Sequence, residues 1–429
     1  MTMTYFKVCG SNRLGQISSS NDEKISPGQG LNDTLISYST YRLHTIIIDN
    51  EGYAYQSGST DPEKCYATNN SGADNQKIEI QIDDGENIYQ LLSAVCGYCY
   101  TLYLVRPLDP ENNDSRNRLA YSYASRGDIK PFFLDIKNIN PQCIFGGWRT
   151  SAAIAFNNNI IIVSPSPSPP KIITFNSDNK DEHPTSIACC KDYLLILTTK
   201  NRVFEYMLNQ IDNANVFQLI KLDNDEKVEQ ISGTYQHCFI VTKEHVFAKG
   251  ANNFGQLGLG PITNENKRVD EFKLVETLKG VQSAYAGFNH SLFLTKDKLL
   301  ACGSNSHGQL FIEKKQGEPD IFPTPVECQG INDTNNKDKP VFCIAGDCSS
   351  IVFFKNIPSN CPNQSIHELS PLPQKIRKVE KKPEVDDKPM FHSEPKRSQE
   401  IDNDDSDSRP KSTDSKKTTK TTHRKKRGK

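Results

Sequence analysis

The hydrophobic pattern of this chain is clearest in two related stretches. ISGTYQHCFIVTKEHVFAKGANNFGQLGLG runs from Ile231 to Gly260, and SAYAGFNHSLFLTKDKLLACGSNSHGQLF runs from Ser283 to Phe311. Each has small residues, then G-x-x-H or a near match, an apolar run, a charged turn (TKE or TKD), a second apolar run and G-x-N-x-x-G-Q-L. A short apolar run bounded by turn residues is the pattern of a buried strand. The polar residues between two such runs make a tight hairpin. In the glycine-rich segment the glycines tolerate positive φ and the asparagine side chain can bond nearby backbone, so it reads as a turn. Each unit predicts a small antiparallel sheet that cannot bury both faces alone.

Weaker copies of the unit recur along the chain. The histidine column falls on His44, Tyr100, Arg149, Tyr193, His237, His290 and Ser349. The glycine three places earlier falls on Tyr41, Gly97, Gly146, Cys190, Thr234, Gly287 and Gly346. The third and fourth copies rest on apolar pattern alone. The segment from Phe6 to Ile17 is the second half of a unit, and that from Ile344 to Asn356 is a first half. An N-terminal strand that completes the last sheet leaves no orphan half-sheet and no exposed edge. The expected fold is therefore all-β: a seven-bladed β-propeller closed by the N-terminal strand, over residues 1–358. Repeats must be sought before other features, because their period sets the architecture.

Composition alters this picture at one end. Hydrophobic residues are 35% of the chain and charged residues 24%, low in apolar content for a chain wholly in a core. The formal net charge of -1 hides an asymmetry: residues 371–429 hold 18 Lys and Arg against 11 Asp and Glu, so the body is acidic. Residues 359–429 lack apolar periodicity and are expected to form a disordered, lysine-rich tail. No apolar run of about 18 residues predicts a membrane helix. MTMTYFKVCGSN has no apolar signal core, so a nuclear or cytoplasmic protein is expected, not a secreted one. The 13 cysteines then read as reduced thiols, mostly buried. No cofactor or metal is expected, and the chain is expected to be a monomer. Cys96 and Cys99 form a C-x-x-C, but it straddles the repeat glycine and lacks a second pair for zinc. GQLGLG, from Gly255 to Gly260, opens no predicted helix, so it reads as the repeat turn and not a phosphate loop.

The G-x-x-H-[TS] strand followed by G-S-N-x-x-G-Q-L-G resembles the regulator of chromosome condensation repeat. The copies at His237 and His290, with Gly10-Ser11-Asn12 to Gln16, carry the resemblance, which covers about residues 5 to 356. It implies a seven-bladed propeller whose N-terminal strand closes the last blade. The founding member of that family is a nucleotide exchange factor for the small GTPase Ran and binds chromatin. The resemblance implies an exchange face with acidic residues beside the G-x-x-H of the second and third repeats and the histidine of the fifth. His237 holds that histidine position, but Tyr98 and Trp148 stand at the acidic ones.

The candidate partner-binding residues are His237, His290, Tyr98, Trp148, Arg149 and Asp347. Aromatics and arginine are enriched at binding hot spots. The plainer alternative makes the histidines structural groups bonded to backbone and the aromatics packing between blades. In the tail, Lys416, Lys417, Lys420, Arg424, Lys425, Lys426 and Arg427 form a basic cluster. It suits a nuclear import signal or contact with chromatin or nucleic-acid phosphates, against the plainer reading of a solvated tail. Two functions follow: a propeller scaffold for protein partners that regulates a small GTPase, or an active guanine-nucleotide exchange factor for a Ran-type GTPase.

Overall fold

The computed structural model describes residues 5–10, 24–25, 35–41, 44–49, 54–58, 77–78, 82–83, 85, 87–97, 100–108, 115–123, 131–164, 169–209, 216–222, 226–312, 317, 319–329, 331 and 339–354. The chain divides into two units, residues 1–376 and 377–429, and every described element belongs to the first. The expected boundary at residue 358 and the basic cluster from Lys416 to Arg427 lie outside the described residues.

The described elements are strands and one short 3-10 turn. The chain begins with β1 (Tyr5–Gly10) and β2 (Lys24–Ile25). Sheet I holds β3 (Leu35–Tyr41), β4 (His44–Asp49), β5 (Ala54–Gly58) and β6 (Lys77–Ile78). Sheet II holds β7 (Ile82–Asp83), β8 (Ile88–Cys96), β9 (Tyr100–Pro107), β10 (Arg118–Tyr123) and β11 (Phe132–Phe133). Sheet III holds β12 (Pro141–Phe145), β13 (Ser151–Ala155), β14 (Asn159–Val163) and β15 (Lys171–Thr174). Sheet IV holds β16 (Pro184–Cys189), β17 (Tyr193–Thr198), β18 (Val203–Met207) and β19 (Gln218–Ile220). Sheet V holds β20 (Val228–Gly233), β21 (His237–Thr242), β22 (Val246–Ala251) and β23 (Arg268–Leu274). Sheet VI holds β24 (Val281–Ala286), β25 (His290–Thr295), β26 (Leu299–Ser304) and β27 (Ile321–Glu327). Sheet VII holds β28 (Pro340–Ala345) and β29 (Ser349–Phe354), followed in the sheet by β1 and β2. β1 pairs antiparallel with β29 in a register running from Tyr5↔Phe354 to Gly10↔Ser349.

The second strand of each sheet explains the continuous apolar runs. β21 (HCFIVT) is buried along its whole length, because neighbouring sheets cover both of its faces. The core lies between sheets. Phe239 of sheet V meets Phe293 of sheet VI edge-on at 5.2 Å, and both are fully buried. Burying one such side chain contributes about 1.5–3 kcal/mol. The described cysteines are free thiols. Burial pushes the Cys189 thiol up to about 12, so it stays protonated and packs as a small apolar group.

One irregularity marks the seven described sheets as copies of a unit. The pairing of the first two long strands shifts register at Leu35/Ser37, Leu91/Ser93, Pro141/Cys143, Pro184/Ser186, Val228/Gln230, Val281/Ser283 and Pro340/Phe342. Such a bulge increases local twist and bends the strand. The bulged strands β3, β8, β12, β16, β20, β24 and β28 each lie against their counterparts in the neighbouring sheets, and β28 lies against β3.

The bulge also corrects the register of the third copy. Nine residues after the bulge come His44, Tyr100, Tyr193, His237, His290 and Ser349, and in sheet III Thr150. The histidine column there falls on Thr150, not Arg149, and the glycine column on Gly147, not Gly146. Apolar pattern alone could not separate these frames, because two adjacent glycines and the run SAAIA fit both.

At the end of the sheets beside the bulges, ionisable side chains are tied down. Glu182 and Glu226 each stand two residues before a first strand. Glu226 accepts from the Thr242 hydroxyl and pairs with His245 Nδ1 at 2.6 Å. Glu182 accepts from Thr198 at 2.5 Å and pairs with Arg202. Among the described residues no helix is long and apolar enough to cross a membrane.

Candidate protein-interaction face

The described loops between the first and second strands gather at the other end, and four of them are bonded to the next sheet. Tyr100 Oη of sheet II donates to the Gly147 carbonyl of sheet III at 3.1 Å. Lys191 N of sheet IV donates to the Tyr235 carbonyl of sheet V at 2.8 Å, and Thr234 Oγ1 donates to the Gly287 carbonyl of sheet VI at 2.6 Å. Phe288 N then donates to the Gly346 carbonyl of sheet VII at 3.0 Å.

Beneath these loops the column residue of one sheet bonds to a side chain on the second strand of the next. His237 Nε2 meets Ser291 Oγ at 2.9 Å, and His290 Nε2 meets Ser350 Oγ at 2.8 Å. Tyr100 Oη meets Ser151 Oγ at 2.8 Å, and Tyr193 Oη meets Cys238 Sγ at 3.2 Å. In each pair the acceptor or donor sits one place after the column position of its own sheet. Tyrosine thus does the same work as histidine in sheets II and IV. Ser291 donates its one hydroxyl proton to the Gln256 carbonyl at 2.8 Å, so His237 must be the donor through Nε2–H. Nδ1 of His237 is then an acceptor, and Nδ1 of both histidines is buried without a hydrogen-bond partner. Burial pushes the His237 imidazole down to about 3, with nearby His290 adding to the effect, and burial alone does the same to His290. Both rings are neutral at physiological pH.

The glycines and the G-x-N-x-x-G-Q-L turn serve this arrangement. A Cβ on Gly287 would come within 2.5 Å of the His290 ring and 2.8 Å of the Gly346 carbonyl oxygen. Gly303 has φ of +103°, and a Cβ there would lie 2.5 Å from the Asn289 carbonyl oxygen. The buried Asn252 and Asn305 accept through Oδ1 from Leu257 N and Leu310 N at 2.9 and 3.0 Å. These polar residues fix a turn that holds Gln256, and through it Ser291.

In sheets III, V and VI the residue after the glycine-column position points away from this buried layer. Trp148 of sheet III, Tyr235 of sheet V and Phe288 of sheet VI are half-buried and meet each other. Trp148 meets Tyr235 edge-on with centroids 4.1 Å apart, and Tyr235 stacks on Phe288 at 4.6 Å. Trp148 also packs against the apolar cluster between sheets I and II that contains Ile46 and Leu91. One indole therefore touches groups from sheets that are not sequence neighbours. Arg149 is exposed, with its guanidinium carbon 4.4 Å from the Trp148 ring centroid. Lys191 is exposed, with Nζ 5.7 Å from the Tyr235 ring centroid.

The expected site residues separate into groups. Trp148 and Arg149 come together on the loop end. Asp347 lies in the corresponding loop of sheet VII and is 8% exposed. His237 and His290 are 0% exposed, which corrects the expectation that they contact a partner: they bridge sheets. Their ring partners are the hydroxyls of Ser291 and Ser350, and the His290 backbone also acts on the His237 ring. Tyr98 and the tail cluster lie outside the described residues. Sequence reasoning passed over Lys191, Tyr235 and Phe288. The signal was present, because all three follow the glycine column directly, as Trp148 does once the third copy is aligned.

Residues 281–309 match the regulator of chromosome condensation (RCC1) repeat. The chain is 30% identical over 148 residues to the X-linked retinitis pigmentosa GTPase regulator of Mus musculus, covering 32% of this chain and 14% of the relative. It is 30% identical over 105 residues to the secretion-regulating guanine nucleotide exchange factor of Mus musculus, covering 24% of this chain and 22% of the relative. The matched part thus spans less than a quarter of either relative's length. Prp20p from Saccharomyces cerevisiae, a protein with binding properties to Gsp1p and histones, superposes with a TM-score of 0.62 at 12% identity, covering 82% of this chain and 92% of that one. The fold is that of a β-propeller. One stretch of the chain matches the RCC1 repeat, and the chain is similar to RCC1-repeat proteins over part of its length.

The two buried imidazoles link stability to pH. Unfolded, each titrates near 6.5, so the unfolded chain binds more protons than the folded one between about pH 6.5 and 3. Their contribution is complete above pH 6.5 and is lost as pH falls. The melting temperature is expected to drop from pH 7 to pH 5, and the drop to be shallower in His237→Gln/His290→Gln. An identical pH slope in that variant contradicts the assignment.

Proposed function

We propose that this chain is a non-catalytic propeller scaffold that regulates a small GTPase of the Ran type by binding a protein partner through its loop end. In this reading the seven sheets are blades of one closed ring, with β1 completing the last. The six-residue register between β1 and β29 and the contact of β28 with β3 support that closure. The partner-binding residues are Trp148, Arg149, Tyr98 and Asp347, joined by Lys191, Tyr235 and Phe288. The single observation that carries the reading is the character of the loop end: aromatic rings from three sheets, with cations above them. Aromatics and arginine favour protein contact. At the opposite end, Glu182 and Glu226 are engaged in structural pairs.

The second reading, an active exchange factor, is favoured by the name of one relative, the secretion-regulating guanine nucleotide exchange factor. Against it, the resemblance expects carboxylates at Tyr98 and Trp148, and the histidine it expects on the exchange face, His237, is buried. Release of labelled GDP from a purified Ran-type GTPase separates the two. The scaffold reading expects the basal rate with micromolar full-length chain. Release accelerated many-fold, and abolished in Arg149→Glu with the fold intact, overturns it.

The tail belongs to this reading as the element that carries the protein to the nucleus or to chromatin phosphates. Lys416, Lys417, Lys420, Arg424, Lys425, Lys426 and Arg427 supply a charge cluster of the kind read by import receptors or by nucleic-acid backbones. Deleting residues 416–429 is expected to abolish nuclear enrichment of a fluorescent fusion. An unchanged distribution removes the tail from the proposal.

A further inference from the structure

The loop end holds a feature that specifies the chemistry of what docks there. Two cations, Arg149 and Lys191, are exposed and held over aromatic rings. Among the described residues neither forms an ion pair with a carboxylate. This is unusual on a body whose charge is acidic outside the tail. The carboxylates in the same set of loops are less available: Asp192 is half-buried and Asp347 is buried. Below the cations, Trp148, Tyr235 and Phe288 offer half-buried rings, within 6.4 Å centroid to centroid for the most distant pair. That span fits one apolar side chain, not an extended hydrophobic surface.

We infer that this cluster is the docking site for an acidic linear segment of a partner protein, one apolar side chain seated on the rings and flanking carboxylates paired with Arg149 and Lys191. The inference rests on the loop end being the partner-binding face. The cation–ring contact holds the planar guanidinium in place, so less side-chain freedom is lost when a carboxylate binds. Charge complementarity sets the sign of the partner and the small ring cluster sets its single anchor.

Trp148 is the one tryptophan of the chain, so its fluorescence reports the site directly. The probe is a pentapeptide with a central leucine flanked by two glutamates on each side, titrated into the full-length protein. Saturable change in tryptophan emission is expected, weakened about tenfold in Arg149→Glu/Lys191→Glu, which corresponds to about 1.4 kcal/mol. Rising salt is expected to weaken binding, because exposed charge pairs are screened. The same peptide with lysines in place of glutamates is expected not to bind. These two substitutions lie at exposed positions, so they test the inference even where Trp148→Ala disturbs packing. The inference is overturned by equal affinity for the lysine peptide, by unchanged affinity in the charge-reversed variant, or by no emission change up to millimolar peptide. None of these outcomes bears on nucleotide release, so the scaffold reading and the acidic-segment inference fail separately.

Discussion

The structure depends on a polar bond that crosses from one sheet to the next. Sheets packed face to face through apolar side chains can slide, because dispersion and hydrophobic burial have little directional preference. A buried hydrogen bond has direction, and leaving it unmade costs about 1–3 kcal/mol. The pairs His237–Ser291, His290–Ser350, Tyr100–Ser151 and Tyr193–Cys238 place one such bond at four sheet junctions. Each joins the same two positions of the repeating unit. Between sheets III and IV the position that would answer the column residue Thr150 is Leu194, which offers no polar group; the Cys189 thiol donates instead to the Phe145 carbonyl at 3.7 Å.

This bond divides labour between adjacent residues of one short motif. In G-x-x-H the last residue turns inward and fixes the sheets. The first variable residue turns toward the loop end, where Trp148, Tyr235 and Phe288 gather. The glycine makes both possible, because any side chain at Gly287 would strike the His290 ring. Repetition of the motif therefore generates a rigid buried layer and a variable exposed one at the same time. Function can change in the exposed layer while the architecture is kept, and this chain shares its fold with Prp20p at only 12% identity.

Much of the architecture was legible because the repeat writes it several times. The runs HCFIVT and HSLFLT announced buried strands, and the glycine-rich turns announced their ends. What misled was residue identity. Histidine, read as a polar group at a strand start, suggested a contact site; in three dimensions it is covered by the next sheet. Tyr100 and Tyr193 were placed in the histidine column, but their role was not read, because tyrosine reaches the same neighbour through a different atom. The third copy was misaligned by one residue, since Gly146-Gly147 offers two equivalent frames and only the bulge at Pro141 decides between them. Pairing register is a tertiary property, and a single strand carries little of it. The aromatic cluster was half visible for the same reason: Trp148 and Arg149 stood out by type, whereas Tyr235 and Phe288 gain meaning only when loops of separate sheets converge.

The central claim is that a side-chain bond from one sheet to the next, repeated along the chain, is what aligns the sheets. A double-mutant cycle on His237→Phe and Ser291→Ala tests it most directly, with unfolding free energies measured at pH 7.5. Phenylalanine keeps the ring and removes the donor. A coupling of about 1–2 kcal/mol is predicted, as for a buried hydrogen bond. Additive losses, with coupling below about 0.5 kcal/mol, contradict the claim and leave apolar packing as the force that aligns the sheets.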